Sequence, residues 1–403
     1  MSYPILNLRA GKEANVGFRH PWVFSGALAD NQSAKHGECV RVADRNGRII
    51  GTGTYSKTSS IAVRVFAFSD VVIDRAWLKE KILDAQEKRT LMGYGSDAHP
   101  WTSSGSTTGY RVVFGEADGI PGLVVDRYAD VLVFQLSTAG IDAMRADIIA
   151  TLNELFEPRA IVERSDALVR REEQLANVVG MCVGEAPGFV EFLEQGRRCI
   201  ADPLRGQKTG FFLDQKDLRS AIAKLSKGRS VLNLFSYTGA SAMAAFAGEA
   251  KRVHNVDGSE EALALVAEHA RRNGIAADLC TVQKTDIFQW LGQTEGSYDM
   301  VIMDPPALIK SAKDAEEGKK AYHFLNRAAM KLVKNGGIFI TSSCSRFMPE
   351  EDLAFALRRA SVQAGVDLQV LEVIRQSSDH PVSVYFPEAA YLKSFVCRVK
   401  KVA

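Results

Sequence analysis

SVLNLFSYTGASA, residues 230–242, starts as a short apolar run, turns on a single glycine and continues in small residues. A run that short, bounded by a turn, reads as a buried strand, and the small residues after it as the start of a helix. The alternation then recurs. Apolar runs stand at RVHNVD (252–257), LCTVQKTD (279–286), YDMVIMD (298–304) and GGIFITSS (336–343), with helical stretches between them. LQVLEVI (368–374) and SFVCRVK (394–400) follow. Strands without polar alternation are covered on both faces, and the intervening helices are the crossovers that make successive strands parallel. An α/β, doubly wound Rossmann-like sheet is therefore expected from about residue 205 onward.

The preceding chain reads differently. Residues 1–70 are short β-rich runs, and Asn46-Gly47 marks a hairpin turn between two of them. This is a small β-barrel-like module. AWLKEKILDAQEKRTL (76–91) has the three- and four-residue apolar spacing of a helix. Residues 110–166 then give strands, an amphipathic helix (141–156) and a further strand, a small α+β block. VEFLEQGRRCIADP (190–203) reads as a hairpin. The expected division is 1–73, 74–190 and 191–403.

With 403 residues, several cores are expected. An apolar content of 46% and a charged content of 24% are those of a soluble globular protein, and no apolar run reaches 18 residues. The charged N-terminal segment has no signal-peptide core. The six cysteines form no CxxC pair, which argues against zinc and against a disulfide framework and fits the cytoplasm. Residues 1–70 carry nine Lys/Arg (9, 12, 19, 35, 41, 45, 48, 57, 64) against five Asp/Glu (13, 30, 38, 44, 70), a surplus of four positive charges compatible with a phosphate backbone.

In an open parallel sheet, ligands bind outside the carboxyl ends of the strands. The first such end, NLFSYTGASA, carries one glycine and no GxGxxG, which suits a ligand without a pyrophosphate. The second ends in Asp257, an acceptor fit for both hydroxyls of a ribose. The third ends in Asp286, placed to take an adenine amine. Asp304 opens DPPAL after the fourth, where two prolines stiffen the loop. Cys344 follows the fifth, in TSSCSRFM (341–348). Each aspartate alone could cap the next helix, and a cysteine alone could fill a core. Together, four polar side chains at four consecutive ends describe a site.

LNLFSYTGA, NVDGSEEAL, KTDIF, MDPPAL and TSSCS, in this order, resemble the class I S-adenosylmethionine-dependent methyltransferases. GQKTGFFLDQKDLR (206–219) and RQSSDHPVSVYFPEAAYLKSFVCRV (375–399) narrow the resemblance to the bacterial 23S rRNA cytosine-5 methyltransferase RlmI family, along almost the whole chain. The resemblance implies an N-terminal PUA domain for RNA and a central α+β domain. It implies S-adenosyl-L-methionine as cofactor. Lys208, Phe211 and Gln215 would lie at its methionine end, Phe235, Tyr237 and Gly239 in the first loop, Asp257 at the ribose and Asp286 at the adenine, with Asp304 also facing the cofactor. The implied partner is 23S rRNA or a large-subunit assembly intermediate. The basic surplus of the N-terminal module and the candidates Arg19, His20 and Trp22 in the FRHPWVF turn, read as exposed, make it the expected RNA grip, the alternative being that the turn is an element of the fold. Tyr322 and Asn326 would shape the target pocket or simply pack. No membrane partner is implied, and sheet edges offer surfaces for a homodimer.

Carbon 5 of cytosine is too weak a nucleophile to take a methyl group unaided. A thiolate adding at carbon 6 makes it one, so Cys344 is the expected nucleophile and Asp304 the acid at ring nitrogen 3. His380 and Asp379 are weak candidates for the base that takes the carbon-5 proton. The alternatives are methylation of an exocyclic amine or of another nucleotide, and a cofactor- and RNA-binding protein without turnover. Amine sites follow the two prolines with an aromatic, whereas Ala307 and Leu308 stand here.

Overall fold

The computed structural model describes residues 3–29, 33–95, 107–185, 188–309 and 311–402. It divides into two compact units. One comprises Met1–Gly196, Ile200–Leu213 and Ser378–Ala389, and the other Arg197–Cys199, Asp214–Ser377 and Ala390–Ala403.

The first unit opens with a five-stranded sheet, in the order β1-β3-β4-β5-β2. Its strands are β1 (Ile5–Asn7), β2 (Trp22–Phe24), β3 (Cys39–Ala43), β4 (Ile49–Tyr55) and β5 (Ile61–Ala67), with the single-turn helix α1 (Ala14–Gly17) before β2. The Asn-Gly hairpin joins β3 to β4. Gly47 takes φ +79°, and one oxygen of Asp44 accepts the N–H groups of Asn46 (2.8 Å) and Arg48 (3.0 Å). Leu6, Val40, Val42, Val63 and Val65 form its core.

Helix α2 (Arg75–Leu91) starts where the Asp74 carboxylate caps the Trp77 N–H at 2.8 Å. Its Leu78, Ile82 and Ala85 join the core of the second sheet. That sheet consists of β6 (Gly109–Phe114), β7 (Leu123–Tyr128), β8 (Val131–Leu136), β9 (Ala160–Ser165) and β10 (Val178–Gly184), in the order β10-β9-β8-β7-β6. Helices α3 (Ala139–Ala143), α4 (Arg145–Phe156) and α5 (Val169–Glu172) connect its later strands, and β11 (Val190–Glu194) and β12 (Arg197–Ala201) follow where a hairpin is expected.

The second unit is the seven-stranded sheet. Its strands are β13 (Ser230–Leu234), β14 (Arg252–Asp257), β15 (Cys280–Lys284), β16 (Tyr298–Met303), β17 (Val333–Ser343), β18 (Val366–Arg375) and β19 (Lys393–Lys401), in the order β15-β14-β13-β16-β17-β19-β18. Helices α6 (Lys216–Leu225), α7 (Ala240–Ala247), α8 (Glu260–Arg272), α9 (Ile287–Gln293), α10 (Ala315–Lys331) and α11 (Glu350–Ala364) alternate with them. The first five strands are mutually parallel. The sheet departs from the all-parallel expectation at β19, which runs antiparallel between β17 and β18. The connection from β18 to β19 carries only a short 3-10 turn, so no crossover helix returns the chain to the parallel direction. Strand order reverses at β13, between β14 and β16, and that is where an open sheet leaves a crevice at its carboxyl edge.

Candidate active site

The first loop after β13 is held in an unusual backbone. Phe235 (φ +56°) and Tyr237 (φ +47°) both lie in the left-handed region, as does Gly239 (φ +81°). Left-handed non-glycine residues are costly and persist only where their surroundings impose them. Asp257, at the end of β14, is one such constraint. One of its oxygens accepts the Tyr237 N–H and the other the Ser259 N–H, both at 2.8 Å. Ser259, not Asp257, caps α8, through the Ala262 N–H at 3.2 Å. The buried His269 ring holds the Thr238 carbonyl at 2.7 Å from below; its protonation constant falls to about 4 through burial, so neutral imidazole donates there. A Cβ on Gly239 would meet Val266 at 3.0 Å, so the loop lies against α8 with no room for a side chain. Within it, the buried hydroxyls of Ser236 and Thr238 have no protein partner. A strained single-glycine loop with orphaned hydroxyls, beside a carboxylate whose oxygens each still have a lone pair, fits a nucleoside without a phosphate. The residues therefore suit S-adenosylmethionine.

Asp286 does cap a helix: it accepts the Gln289 N–H at 3.1 Å and is exposed at the start of α9. The capping reading holds for this aspartate, and its second oxygen remains for a ligand amine.

Asp304 follows β16 and is half-buried. It accepts a 2.7 Å hydrogen bond from the Gln215 side-chain amide. The segment bearing Gln215 is fixed in turn. Ser377 donates its N–H (2.9 Å) and its hydroxyl (3.1 Å) to the Asp214 carbonyl, and Asp217 donates its N–H to the Ser377 hydroxyl at 3.0 Å. The Tyr391 hydroxyl donates to the Asp214 carboxylate.

Cys344 lies one residue beyond β17, half-buried and reduced. Strands β16 and β17 pair Met303 with Thr341, which brings the two loops side by side. Tyr322 on α10 braces the thiol's flanks. Its hydroxyl accepts from Ser343 at 2.8 Å and meets the Ser345 hydroxyl at 3.2 Å, while Ser345 accepts the Ile309 N–H at 3.3 Å. Burial raises the Tyr322 protonation constant, and the charges of both Cys344 and Asp304 raise it further, so these three groups share one electrostatic neighbourhood. Asn326 is fully buried. Its amide donates to the Tyr322 carbonyl one turn back at 2.7 Å, and its Oδ1 has no protein partner.

The remaining candidates belong to the first unit. Phe211 is buried with its ring edge-on to Phe192 at 5.0 Å. Lys208, exposed and left-handed (φ +54°), sets its ammonium 4.3 Å from the Phe212 ring. Trp22 donates its indole N–H to Glu116 at 2.9 Å and packs on Phe386 (4.8 Å), and His20 faces Glu388 at 3.3 Å. Of the three candidates in that turn, Arg19 is the exposed one, with its guanidinium 5.6 Å over Tyr385. Asp379 and His380 are buried in a network in which Asp379 accepts the Arg111 N–H (3.0 Å), its carbonyl takes Arg89 (2.9 Å) and its other oxygen faces His380 (3.0 Å). These bonds make Asp379 and His380 part of the structure of the loop.

One residue escaped the sequence reading. Lys393 opens β19 opposite Ser343, is 7% exposed, and donates to the carbonyls of Ser345 (2.6 Å) and Tyr391 (3.0 Å). The available signal was a lysine inside the otherwise apolar run YLKSFVC.

Residues 157–392 match the family described as S-adenosylmethionine-dependent methyltransferase, and residues 6–68 match a PUA-like domain. The ribosomal RNA large subunit methyltransferase I of Klebsiella pneumoniae strain 342 is 35% identical, over 98% of this chain and 98% of its own. That of Serratia proteamaculans is 37% identical, over 98% and 99%. A SAM-dependent methyltransferase from Streptococcus mutans superposes with a TM-score of 0.82 at 23% identity, over 98% of this chain and all of that one. A methyltransferase solved in complex with SAH gives 0.83 at 22%, over 99% of this chain and all of its own. These two carry the fold alone. A doubly wound sheet with an adenosine-compatible crevice, family matches to both modules and full-length relatives above 30% identity lead to one conclusion: the chain belongs to the S-adenosylmethionine-dependent methyltransferases, in the family of the ribosomal RNA large subunit methyltransferases I, with a PUA-like N-terminal domain.

Proposed function

We propose that the protein methylates carbon 5 of a cytosine in 23S rRNA, free or in a large-subunit assembly intermediate, through a covalent bond from Cys344 to carbon 6. The observation that supports this most is the thiol of Cys344 and the carboxylate of Asp304 at adjacent strand ends, both within electrostatic reach of Tyr322. The Cys344 thiolate forms the S–C6 bond. The displaced π pair makes carbon 5 nucleophilic, and Asp304 shares its proton with ring nitrogen 3. S-adenosylmethionine, when bound, supplies an electrophilic methyl whose bond pair leaves with its sulfur. Carbon 5 then loses its proton to a base. That C–H pair re-forms the double bond, the S–C6 pair returns to Cys344, and the nitrogen-3 proton returns to Asp304.

We assign the ribose contact to Asp257, the adenine amine to Asp286, the loop beneath the cofactor to Phe235, Tyr237 and Gly239, and its methionine end to Gln215 with Lys208 and Phe211. RNA contact falls to the N-terminal module, with Arg19 its exposed member and Trp22 and His20 supporting the turn. We assign the domains as 1–73, 74–190 and 191–403. A base paired in a duplex lies beyond reach of a thiol, so the target is a loop nucleotide or a flipped one.

The test is RNA carrying 5-fluorocytosine, incubated with enzyme and S-adenosylmethionine and run on a denaturing gel. Fluorine does not leave as a proton does, so a shifted band should form and should vanish in Cys344→Ala. Methyl transfer persisting in Cys344→Ala, without an adduct, would move the reaction to a nitrogen.

A further inference from the structure

Taking Cys344 as the nucleophile, we propose that Lys393 is its positioning partner: the Lys393 ammonium is the counter-ion that holds Cys344 as a thiolate before substrate arrives. The inference rests on that reading and extends it to a residue on a later strand.

The geometry comes from the antiparallel strand. The register sets Lys393 opposite Ser343, so its side chain rises beside the residue that precedes the thiol. The ammonium then reaches past it and donates to the carbonyl of Ser345, the residue that follows the thiol, at 2.6 Å. Cys344 is thus bracketed by one lysine. A second proton of the ammonium goes to the Tyr391 carbonyl at 3.0 Å. Tyr391 is itself tied through its hydroxyl to Asp214.

The energetics ask for an anion. Lys393 is 7% exposed, and among the described residues no carboxylate lies within ion-pair distance of it. A buried ammonium held by carbonyls alone keeps its hydrogen bonds but lacks a countercharge, a costly arrangement unless a negative group stands close by. Cys344 is the group in position to provide it. Burial pushes the Lys393 ammonium down to about 8, and the charge on Cys344, ahead of that on Glu350, pulls it back up. The interaction is reciprocal, so the same ammonium lowers the thiol's own constant. Other titratable and charged groups also face this pair. A negative charge on Asp304, after β16, or on Glu350, on α11, would disfavour a thiolate. Tyr322, on α10, is kept neutral by burial. Arg346, two residues beyond the thiol, is an exposed cation, unlike the buried Lys393.

The test reads the thiol directly, without RNA or methyl transfer. The full-length protein is alkylated with iodoacetamide across pH 5.5–10 (roughly the range that brackets a cysteine), and the Cys344 peptide is followed by mass spectrometry. The expected inflection lies below the ordinary cysteine value of about 8.5. Lys393→Met should raise it and slow alkylation at neutral pH by about tenfold, in proportion to the lost thiolate. Lys393→Arg, which keeps the charge, should restore most of the rate, whereas a purely structural role would leave both variants alike. An inflection at or above 8.5 in the unmodified protein overturns the proposal whether or not the variants fold. An unchanged inflection in Lys393→Met overturns it as well. The nucleophile reading fails separately: a lowered, lysine-dependent inflection without a 5-fluorocytosine adduct would keep the ion pair and discard the covalent mechanism.

Discussion

The loops after β13 and β14 and those after β16 and β17 meet at one edge of the sheet but are built from different materials. On the β13–β14 side the parts are mostly backbone. Three left-handed residues shape the loop, and Asp257 accepts two main-chain N–H groups. On the β16–β17 side the parts are side chains drawn from distant segments. Gln215 reaches Asp304, Tyr322 joins Ser343 to Ser345, and Lys393 donates to the Ser345 carbonyl. A backbone-built site is preorganised and sensitive to any Cβ. A side-chain-built site is tunable, and its members fail one at a time.

The comparison breaks most visibly at the thiol. Cys344→Ala should lower methyl transfer by roughly 10⁴-fold or more while leaving the affinity for S-adenosylmethionine unchanged, as read by calorimetry. Equal losses of rate and affinity would mean that the two sides are not separable. Next comes Asp257→Ala, expected to weaken cofactor binding roughly 10- to 100-fold, as for loss of charged hydrogen bonds, with much smaller change in kcat at saturating cofactor. Gly239→Ala is third. A left-handed alanine costs ~1–2 kcal/mol, and its Cβ must also displace Val266, so the midpoint of denaturation should fall along with cofactor affinity. Tyr322→Phe should have the smallest effect. Losing the hydroxyl that joins two serines should cost about 1 kcal/mol of stability and slow the 5-fluorocytosine adduct several-fold, with cofactor affinity intact. A Tyr322→Phe protein that binds cofactor poorly would show that the side-chain network also supports the backbone loop.

The same contrast explains what the sequence disclosed. Five strand ends and the residues at them were legible because β13 to β17 are contiguous apolar runs whose exits carry unmistakable groups; which exits adjoin depends on the sheet order, in which β15 and β16 follow one another in the chain without being neighbours. Asp286 shows the limit of that method: one aspartate at a strand end both caps a helix and faces the edge, and its spelling does not separate the two roles. Trp22 and His20 read as an exposed grip because aromatics and histidines beside arginine suit RNA. Their partners, Glu116, Phe386 and Glu388, lie 94 to 368 residues away, and no local pattern announces such contacts. Lys393 was missed for the same reason. Its significance depends on β19 running antiparallel beside β17, a pairing that the run around Lys393 does not itself announce.

That antiparallel strand also governs when the enzyme comes into being. Because β19 lies between β17 and β18, the two earlier strands have no direct hydrogen bonds to one another and wait as open edges until Lys393–Lys401 has left the ribosome. The crevice for the cofactor can assemble from the first five strands during synthesis. Lys393 arrives with the last strand of the sheet in chain order, so the half of the site proposed to carry the chemistry is completed only after the other strands have been translated.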